Sequence, residues 1–557
     1  MKKVCVTLIT AFLISALCSK SLCAAELMYG DLNGSKSFDS IDFAIMKSYL
    51  LGRTSLTGEA LKAADVNGNG TIDSIDFAIM KQYLLGIISS FPASGQATPT
   101  PGQVTPTPPQ VTLPPVPEFK YVTVHDPSII KANDTYYIIG SHLASAKSRD
   151  LIRWEQISTS VSNSNPLMPN VYIKLKEAFN WAETDTLWAG DLIQLKNGKY
   201  YMYYCMCKGD SPRSALGVAV SDNVEGPYED LGIILKSGMW GQKSEDGTIY
   251  DATKHPNVVD PHVFYDKDDN LWMVYGSYSG GIFILKMDET TGKPVPGQGY
   301  GKRLLGLNHS RIEGAFIQYS PDTDYYYLFL SFGGLDANGG YNIRVCRSKN
   351  PDGPYVDSSG KNMVYCHGAN GTMFDDKSIE PFGAKLMGNF FFTDSKLGYV
   401  SPGHNSTYYD ETINKYFIVF HTRFPGRGEE HQVRVHQMFI NSDGWPVIAP
   451  HQYAGETIGK YTLDEVCGNY AYVNHGTDIS ANVKNSSKIY LNKDGTISGS
   501  VSGKWQLTGD NKITLTINGV EYNGVVLKQY DVGLKKFAMT FTALQKGGNI
   551  AIWGSGL

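Results

Sequence analysis

A β-hairpin pattern that recurs five times constrains the fold of this chain more than any other feature. Each copy opens on a polar residue, passes through a short strand and a polar turn, and ends in an aromatic-rich strand. The five copies begin at Asp126, Asp191, Asp260, Glu313 and His404. Five such units over about 330 residues have the period of a β-propeller, whose four-stranded blades surround a central channel. A β-sandwich is the alternative, but it gives no reason for five matched starts.

The polar starts are predicted to lie close together. The first strand of each propeller blade lines the axis, so the five starts converge at one end of the central cavity. Asp126, Asp260 and Glu313 have the most apolar neighbours in sequence, and a buried carboxylate needs a partner or a function. Two carboxylates across a sugar ring hydrolyse a glycosidic bond, and a third acid raises the pKa of the proton donor.

The composition suits a protein that is rich in β-strands and binds sugars. The 557 residues are too many for a single hydrophobic core, and the 35 tyrosines suit β-strands and sugar-stacking surfaces. The net charge is −5 and no basic stripe is present, which argues against a nucleic-acid partner.

The N-terminus predicts secretion. Two lysines precede a short apolar run that ends in small residues, so residues 1–25 are interpreted as a signal peptide. A membrane anchor is the alternative, but the run is short and is interrupted by Ser15, Ser19 and Lys20. No later segment reaches membrane length, so no membrane partner is expected.

Two twelve-residue loops near the N-terminus predict calcium binding. DLNGSKSFDSID at 31–42 is echoed by DVNGNGTIDSID at 65–76, and nearly the same helix follows each loop. Oxygen-bearing side chains stand at positions 1, 3, 5, 9 and 12, as in the calcium loop of an EF-hand. They are Asp31, Asn33, Ser35, Asp39 and Asp42 in the first loop, and Asp65, Asn67, Asn69, Asp73 and Asp76 in the second.

This loop–helix duplication, at residues 27–90, resembles the type I-like dockerin module, which docks onto a cohesin domain of a scaffold protein. The first loop departs from the pattern because Lys36 stands where the turn favours Gly and Ser35 is a weak ligand. In dockerins, loop positions 10 and 11 help choose the cohesin, and both copies here read Ser-Ile. The resemblance therefore implies two calcium sites and a two-fold-related binding face. A calcium-stabilised helix pair without a partner is the alternative.

The remaining chain divides into a linker and two domains. Residues 91–117 are rich in Pro and Thr and predict an extended tether. Residues 118–452 hold the five hairpin units. Residues 453–557 alternate short strands with Asn-Gly and Asp-Gly turns, which predicts a small antiparallel barrel or sandwich. The expected fold is thus mostly β, with an α-helical N-terminal module.

The five-unit region resembles glycoside hydrolase family 43. The motifs that carry the resemblance are HDPS, VDPH and IEGAF around the three acids; GYVSPGHNS and the segment at 421–450 resemble the two-domain endo-arabinanase branch. The resemblance implies an inverting endo-1,5-α-L-arabinanase that cuts the arabinan backbone of pectin. It assigns Asp126 as general base, Glu313 as general acid and Asp260 as the acid that tunes Glu313. It also places His404 beside an axial calcium ion.

Three further residues are candidates for binding substrate. Trp188 stands at a blade start and could stack on a sugar, Ser277 could line the subsite, and Arg423 could bond to substrate hydroxyls. A core position for Trp188 and a structural ion pair for Arg423 are equally open. Because side chains alternate along a strand, His125 and His262 are expected to face neighbouring blades.

Two other functions compete with the endo-arabinanase. An exo-acting α-L-arabinofuranosidase or β-xylosidase of the same family is one, and the loop at 162–186 could decide between an open groove and a closed pocket. A non-catalytic sugar-binding propeller is the other, and loss of one of the three acids would favour it. All three acids are present.

Overall fold

A computed structural model describes residues 27–84, 88, 90–95 and 116–557. The predicted signal peptide and most of the predicted linker lie outside the described residues. The chain divides into two compact units, Met1–Leu113 and Pro114–Leu557. None of the helices in the described ranges is both long and apolar enough to cross a membrane.

The first unit contains the helices that the two loops predict. They are α1 (Ser40–Leu50), α2 (Gly58–Ala64) and α3 (Ser74–Leu84). The Asp39 side chain caps the N-terminus of α1 by accepting the backbone N–H of Ile41 at 2.7 Å. Phe43 and Phe77 occupy the same position in the two repeats, and their rings stack with centroids 4.2 Å apart. The repeated helices therefore pack against each other through equivalent residues.

The second unit is a five-bladed β-propeller followed by a barrel. Its strands are antiparallel within each blade. The inner strand of each blade contacts that of the next blade, and the inner strand of blade five contacts that of blade one, so the blades follow one another around the ring in sequence order. The strands are β1 (Ser128–Ala132), β2 (Thr135–Ile139), β3 (Ser145–Ser148) and β4 (Glu155–Ser158) in blade one; β5 (Asp191–Gln194), β6 (Tyr200–Cys207), β7 (Ser214–Ser221) and β8 (Glu229–Lys236) in blade two; β9 (His262–Tyr265), β10 (Leu271–Tyr275), β11 (Ile282–Asp288), β12 (Lys293–Pro294) and β13 (Lys302–Leu305) in blade three; β14 (Ile312–Ser320), β15 (Tyr325–Phe332), β16 (Asn342–Ser348) and β17 (Ala384–Met387) in blade four; and β18 (Phe390–Phe392), β19 (Leu397–Asp410), β20 (Lys415–Arg423), β21 (His431–Ile440) and β22 (Pro446–Ile448) in blade five.

Short helices lie in the connections between these strands. Helices α4 (Val171–Lys174) and α5 (Lys176–Ala182) belong to the long connection from blade one to blade two, and α6 (Asp376–Ile379) precedes β17. Asn133 and Asp134 form the polar turn of the first hairpin and join β1 to β2 with φ values of 48° and 59°. Positive φ at both residues is the geometry that suits a two-residue hairpin, and Asn and Asp tolerate it.

Side chains close the ring, because every blade is built from consecutive strands. Lys131 of blade one pairs with Asp410 of blade five at 2.7 Å. Ser406 of blade five donates to the carbonyl oxygen of Pro127 at 2.6 Å. Apolar residues of blades one and five also form a shared cluster that includes Ile138 and Val419. Blade five therefore holds the start of blade one in place.

The C-terminal domain is a closed barrel, one of the two predicted forms. Helix α7 (Leu463–Val466) leads into β23 (Gly468–Asn474), β24 (Lys484–Asn485), β25 (Ser487–Leu491), β26 (Thr496–Gly499), β27 (Gly503–Leu507), β28 (Lys512–Ile517), β29 (Val520–Asp531), β30 (Lys536–Gln545) and β31 (Ala551–Gly556). All except β24 form the barrel, and β24 pairs with β18 of the propeller. Trp553 is fully buried in a core shared with Phe390, so the barrel packs directly on the propeller.

Candidate active site

The inner ends of all five blades surround one small cavity on the propeller axis. The cavity has a volume of about 20 Å³, which is room for about one water molecule or ion. It is lined by Asp126, Pro127 and Ser128; Ala189, Gly190 and Asp191; Asp260, Pro261 and His262; Gly314, Ala315 and Phe316; and His404, Asn405 and Ser406. Four of the five polar starts line this cavity, and the fifth, Glu313, is the residue before Gly314.

Asp126 lies among histidines. Its Oδ2 atom is 2.8 Å from Nδ1 of His125, and its Oδ1 atom is 3.1 Å from Nδ1 of His404. Ser141 also donates its hydroxyl to Oδ2 at 2.5 Å. Burial works to raise the pKa of Asp126, but the charges of His125 and His404 hold it well below its usual range. This carboxylate is therefore held in its ionised form.

His125 faces the neighbouring blade, as the alternation of side chains predicted, since its ring stacks on His421 of blade five with centroids 3.9 Å apart. Its contact with the Asp126 carboxylate was not predicted. Asp126 has φ of 56°, in the left-handed region, and this interrupts the extended geometry on which alternation depends. His262 also follows the prediction, since its ring stacks on Phe316 of blade four with centroids 3.5 Å apart.

Glu313 lies among hydroxyl groups. Ser277 donates to its Oε2 atom at 2.7 Å, and Tyr341 donates to its Oε1 atom at 2.9 Å. Burial raises the pKa of Glu313 above its usual range, although the charge of His404 opposes the rise. The environment of Glu313 thus favours the protonated form, whereas that of Asp126 favours the ionised form.

Asp260 and His404 interact electrostatically with both of these carboxyl groups. Asp260 accepts the backbone N–H of Gly314 at 3.3 Å. Burial raises the pKa of Asp260, the Glu313 charge adds to the rise, and His404 opposes it. Burial works to lower the pKa of His404, but the surrounding carboxylates raise it above its usual value. His404 therefore interacts electrostatically with all three acids.

Two glycines allow the blades to approach this closely. A Cβ atom on Gly403 would lie 2.2 Å from the ring of Tyr341, so only glycine lets that ring reach Glu313. Gly314 has φ of +59°, and a Cβ atom there would lie 3.2 Å from the imidazole of His404. The sequence alone gave no sign of the Gly403 contact, because its partner Tyr341 is 62 positions away in the chain.

The three residues predicted to bind substrate lie in three different environments. Ser277 lies in the site through its hydrogen bond to Glu313. Trp188 is half-buried and packs against the apolar core between blades two and three. Arg423, the last residue of β20, is buried and pairs with Glu429 at 2.5 Å, while its Nη1 atom has no hydrogen-bond partner in the described part of the chain.

Sequence reasoning missed Tyr341, Ser141 and His421, which complete the surroundings of the acids. His421 is fully buried, and its Nδ1 accepts the backbone N–H of Asp126 at 3.2 Å. Tyr341 and His421 face each other as near-parallel rings with centroids 6.1 Å apart. The available signal was positional, since His421 comes directly after the aromatic run KYFIVF within β20, and Ser141 comes shortly after the aromatic strand β2.

The two loops of the first unit arrange their oxygens in the same way. Asp31 accepts the backbone N–H of Lys36 at 2.8 Å, and Asp65 accepts that of Gly70 at 2.8 Å. The position-12 carboxylates, Asp42 and Asp76, are fully buried. Burial raises the pKa of Asp76, and the nearby Asp65 and Asp73 add to the rise, as expected of carboxylates gathered around a cation site. This donor set fits calcium.

Lys36 adopts the backbone conformation for which its loop position favours glycine. Its φ is 65°, and the equivalent Gly70 has φ of 84°. The left-handed region costs a side-chain-bearing residue free energy that glycine does not lose. The first loop is therefore built to the same plan as the second, with a strained residue at its turn.

Comparisons with known proteins match all three folded parts. The model of glycosyl hydrolases family 43 matches residues 119–446, a C-terminal lipocalin-like domain matches 450–554, and a dockerin type I domain matches 29–85. Dockerin type I domains bind calcium and imply a cohesin partner.

Proteins similar to this chain include two extracellular endo-α-(1→5)-L-arabinanases. One from Bacillus subtilis (strain 168) is 63% identical and covers 79% of this chain and 94% of its own length. One from Thermotoga petrophila is 55% identical with the same coverage. A solved structure of the Thermotoga petrophila endo-1,5-α-L-arabinanase has a TM-score of 0.77, with 54% identity and coverage of 79% of this chain and all of that one. A family 43 glycoside hydrolase from Bacillus licheniformis has a TM-score of 0.78, with 64% identity and coverage of 79% and 99%.

Proposed function

Because this chain belongs to glycosyl hydrolase family 43 and is a glycoside hydrolase, we propose that it is an endo-1,5-α-L-arabinanase that hydrolyses the arabinan backbone of pectin. The observation that carries the proposal is the meeting of Asp126, Asp260 and Glu313 around one axial site, with opposite environments for Asp126 and Glu313. The similar arabinanases from Bacillus subtilis and Thermotoga petrophila support the choice of arabinan.

In the proposed mechanism Glu313 is the general acid and Asp126 is the general base. Glu313, kept protonated by burial, donates its proton to the glycosidic oxygen, and Ser277 and Tyr341 fix its orientation. Asp126, kept ionised by the histidines, removes a proton from the attacking water. Asp260 orients and tunes Glu313. An inverting mechanism requires about 6.5–9.5 Å between the two catalytic carboxyl groups, which leaves room for the water.

We further propose three calcium sites. Two are the dockerin loops, whose oxygen donors are described above. The third is axial, where His404 and water would hold the ion. Asn405 supports this site because its amide oxygen and nitrogen are buried beside the cavity and have no hydrogen-bond partner among the described residues. A bound calcium ion would supply a fixed positive charge near the acids.

We propose that the protein is extracellular and attached to a scaffold protein. The dockerin suggests binding to a cohesin, as in a cellulosome, and the sequence of residues 1–25 supports secretion. The proposed boundaries are 27–90 for the dockerin, 91–117 for the linker, 118–452 for the catalytic propeller and 453–557 for the C-terminal domain. The barrel is proposed to stabilise the propeller through their shared core.

Reducing-end release from linear α-1,5-arabinan tests the proposal, with Glu313→Ala as the inactive control. The wild-type chain is expected to release a spread of oligosaccharides, and Glu313→Ala is expected to release none above background. Arabinose as the sole product would instead support an exo-acting enzyme, and binding without release would support a non-catalytic propeller. Proton NMR of the first product formed is expected to show the β-anomer, and the α-anomer would contradict inversion.

A further inference from the structure

An exposed aromatic residue, Phe374, lies in the connection between β16 and β17 with a strained backbone. It is 47% exposed, and its φ is 58°. A left-handed backbone is an outlier for a bulky side chain and costs free energy, and residues of this kind cluster at ligand-binding sites. The neighbouring Met373 is 66% exposed, so the apolar surface extends beyond the ring. A strained backbone that holds an aromatic ring in solvent indicates a binding role rather than a packing role.

Two contacts fix Phe374 to the segment that leads into Glu313. The backbone N–H of Phe374 donates to the carbonyl oxygen of His309 at 3.4 Å. Two residues after Phe374, Asp376 accepts Nε of Arg311 at 3.0 Å and also pairs with its Nη2 atom. Arg311 stands two positions before Glu313. Because a two-point arginine–carboxylate pair fixes geometry, the segment that carries Phe374 is held in place relative to the proposed general acid.

Tyr278 connects Phe374 to the surroundings of Glu313. The rings of Tyr278 and Phe374 meet edge to face with centroids 5.7 Å apart. Tyr278 follows Ser277, which donates to Oε2 of Glu313 at 2.7 Å. Burial raises the pKa of Tyr278, and the charge of Glu313 adds to the rise, as expected of a phenol close to that carboxyl group. Phe374 therefore lies one side chain away from the surroundings of the acid.

The position of Phe374 identifies the part of the substrate that covers it. A general acid protonates the oxygen of the leaving group, so the sugar units that leave lie on the side of Glu313. An arabinose ring has an apolar face of C–H groups, which packs on an aromatic ring.

We propose that Phe374 binds an arabinose unit of the leaving part of the arabinan chain and so helps to hold the bond that Glu313 protonates. This inference rests on the proposed function. Contacts with remote parts of a substrate contribute to catalysis by positioning the reacting bond. Since the ring is already fixed by its backbone contacts, little conformational freedom is lost on binding.

Steady-state kinetics of the full-length chain test the inference. Phe374→Ala is expected to lower kcat/KM on linear α-1,5-arabinan by about tenfold, and Phe374→Tyr, which keeps the ring, is expected to lose less than about twofold. Tyr490→Ala is the matched control, because Tyr490 is also 47% exposed but lies on β25 of the barrel, and it is expected to match the wild type. Unchanged kinetics in Phe374→Ala, or the same loss in Tyr490→Ala, would overturn the inference. Should Phe374→Ala not fold, as judged by thermal melting, Phe374→Leu decides the outcome.

An arabino-oligosaccharyl fluoride separates the leaving side from the rest of the substrate. Its leaving group is a fluoride ion, so no departing sugar covers Phe374, and the deficit of Phe374→Ala is expected to be at least about fivefold smaller than on arabinan. An equal deficit on the two substrates would mean that Phe374 supports the fold or binds the retained part of the chain, contrary to the inference.

Binding measurements distinguish this inference from the proposed function. Calorimetry with linear α-1,5-arabinohexaose compares Glu313→Ala with the double variant that also carries Phe374→Ala, and the double variant is expected to bind about tenfold more weakly. Equal affinities would contradict the inference even if the wild type hydrolysed arabinan. Weaker binding by the double variant, together with a wild type that released no reducing ends, would leave the Phe374 site standing and contradict the proposed function alone.

Discussion

The two repeated regions of this protein use repetition in opposite ways. In the dockerin, the two loops carry nearly the same residues at the same positions, and the equivalent Phe43 and Phe77 stack on each other. In the propeller, the equivalent starts of the five blades carry different residues, namely three aspartates, a glutamate and a histidine. Identical copies give a symmetric module, whereas divergent copies around one axis give a site with chemically distinct sides.

The divergence has a physical consequence in the propeller. Asp126 contacts imidazoles and Glu313 contacts hydroxyls, so two buried carboxyl groups in the same ring have pKa values shifted in opposite directions: burial works to raise both, but histidine charges override it at Asp126. Asp191 shows a third outcome, because it accepts the backbone N–H of Val263 at 2.7 Å and holds neighbouring blades together. Position in the repeat fixes where a side chain lies, and its partners fix what it does.

Asp126→Asn is expected to have the largest effect. Without a general base, kcat on linear arabinan is expected to fall by about 10²–10⁴-fold. The same loss is expected on a dinitrophenyl arabino-oligosaccharide, because activation of water does not depend on the leaving group. Steady-state kinetics on both substrates measure it, and thermal melting controls for folding. A variant that kept near wild-type turnover on arabinan would remove Asp126 from the proposed role.

Glu313→Gln is expected to cause a similar loss on arabinan and a smaller one on the activated substrate. A dinitrophenolate leaves without a proton, so the deficit on that substrate is expected to be at least about tenfold smaller than on arabinan. The ratio of the two rates separates an acid from a base. Equal losses on both substrates would contradict the assignment of Glu313 as the general acid.

Tyr341→Phe is expected to lower kcat by about fivefold to tenfold. The change removes one hydrogen bond to Oε1 of Glu313, and such a bond contributes about 1 kcal/mol. Tyr355→Phe is the matched control, because Tyr355 is also buried near blade four but donates to the Pro351 carbonyl. Equal effects of the two variants would mean that the loss reflects packing rather than the orientation of Glu313.

Lys36→Gly is expected to have the smallest effect and to make the dockerin loops more alike. Relief of about 1 kcal/mol of left-handed strain is expected to tighten calcium binding in the first loop by about fivefold. Gly70→Lys is the mirror change and is expected to weaken the second loop by a similar factor, since no atom lies near the added Cβ. Calcium calorimetry on both variants checks this, and no change in either would show that the turn residue does not limit affinity.

The fold followed from the sequence because local patterns repeat. A polar start, a polar turn and an aromatic strand recur at regular spacing, and in the first copy the turn is Asn133 and Asp134. Five such hairpins in succession predict a ring of blades. The same regularity identified Asp126, Asp260 and Glu313. His125 faces blade five as predicted, but its contact with the Asp126 carboxylate was not predicted, because alternation along a strand assumes an extended backbone and Asp126 has φ of 56°.

The sequence by itself determined the domain types, the repeated architecture and the acids proposed to carry the chemistry, because these depend on residue type and spacing within short segments. Only the tertiary structure decided which partners each acid meets. Tyr341 reaches Glu313 past Gly403, and His421 lies 295 positions from the Asp126 backbone that it contacts. Contacts of this kind depend on how the blades close into a ring, and electrostatic shifts in a buried site depend on those contacts.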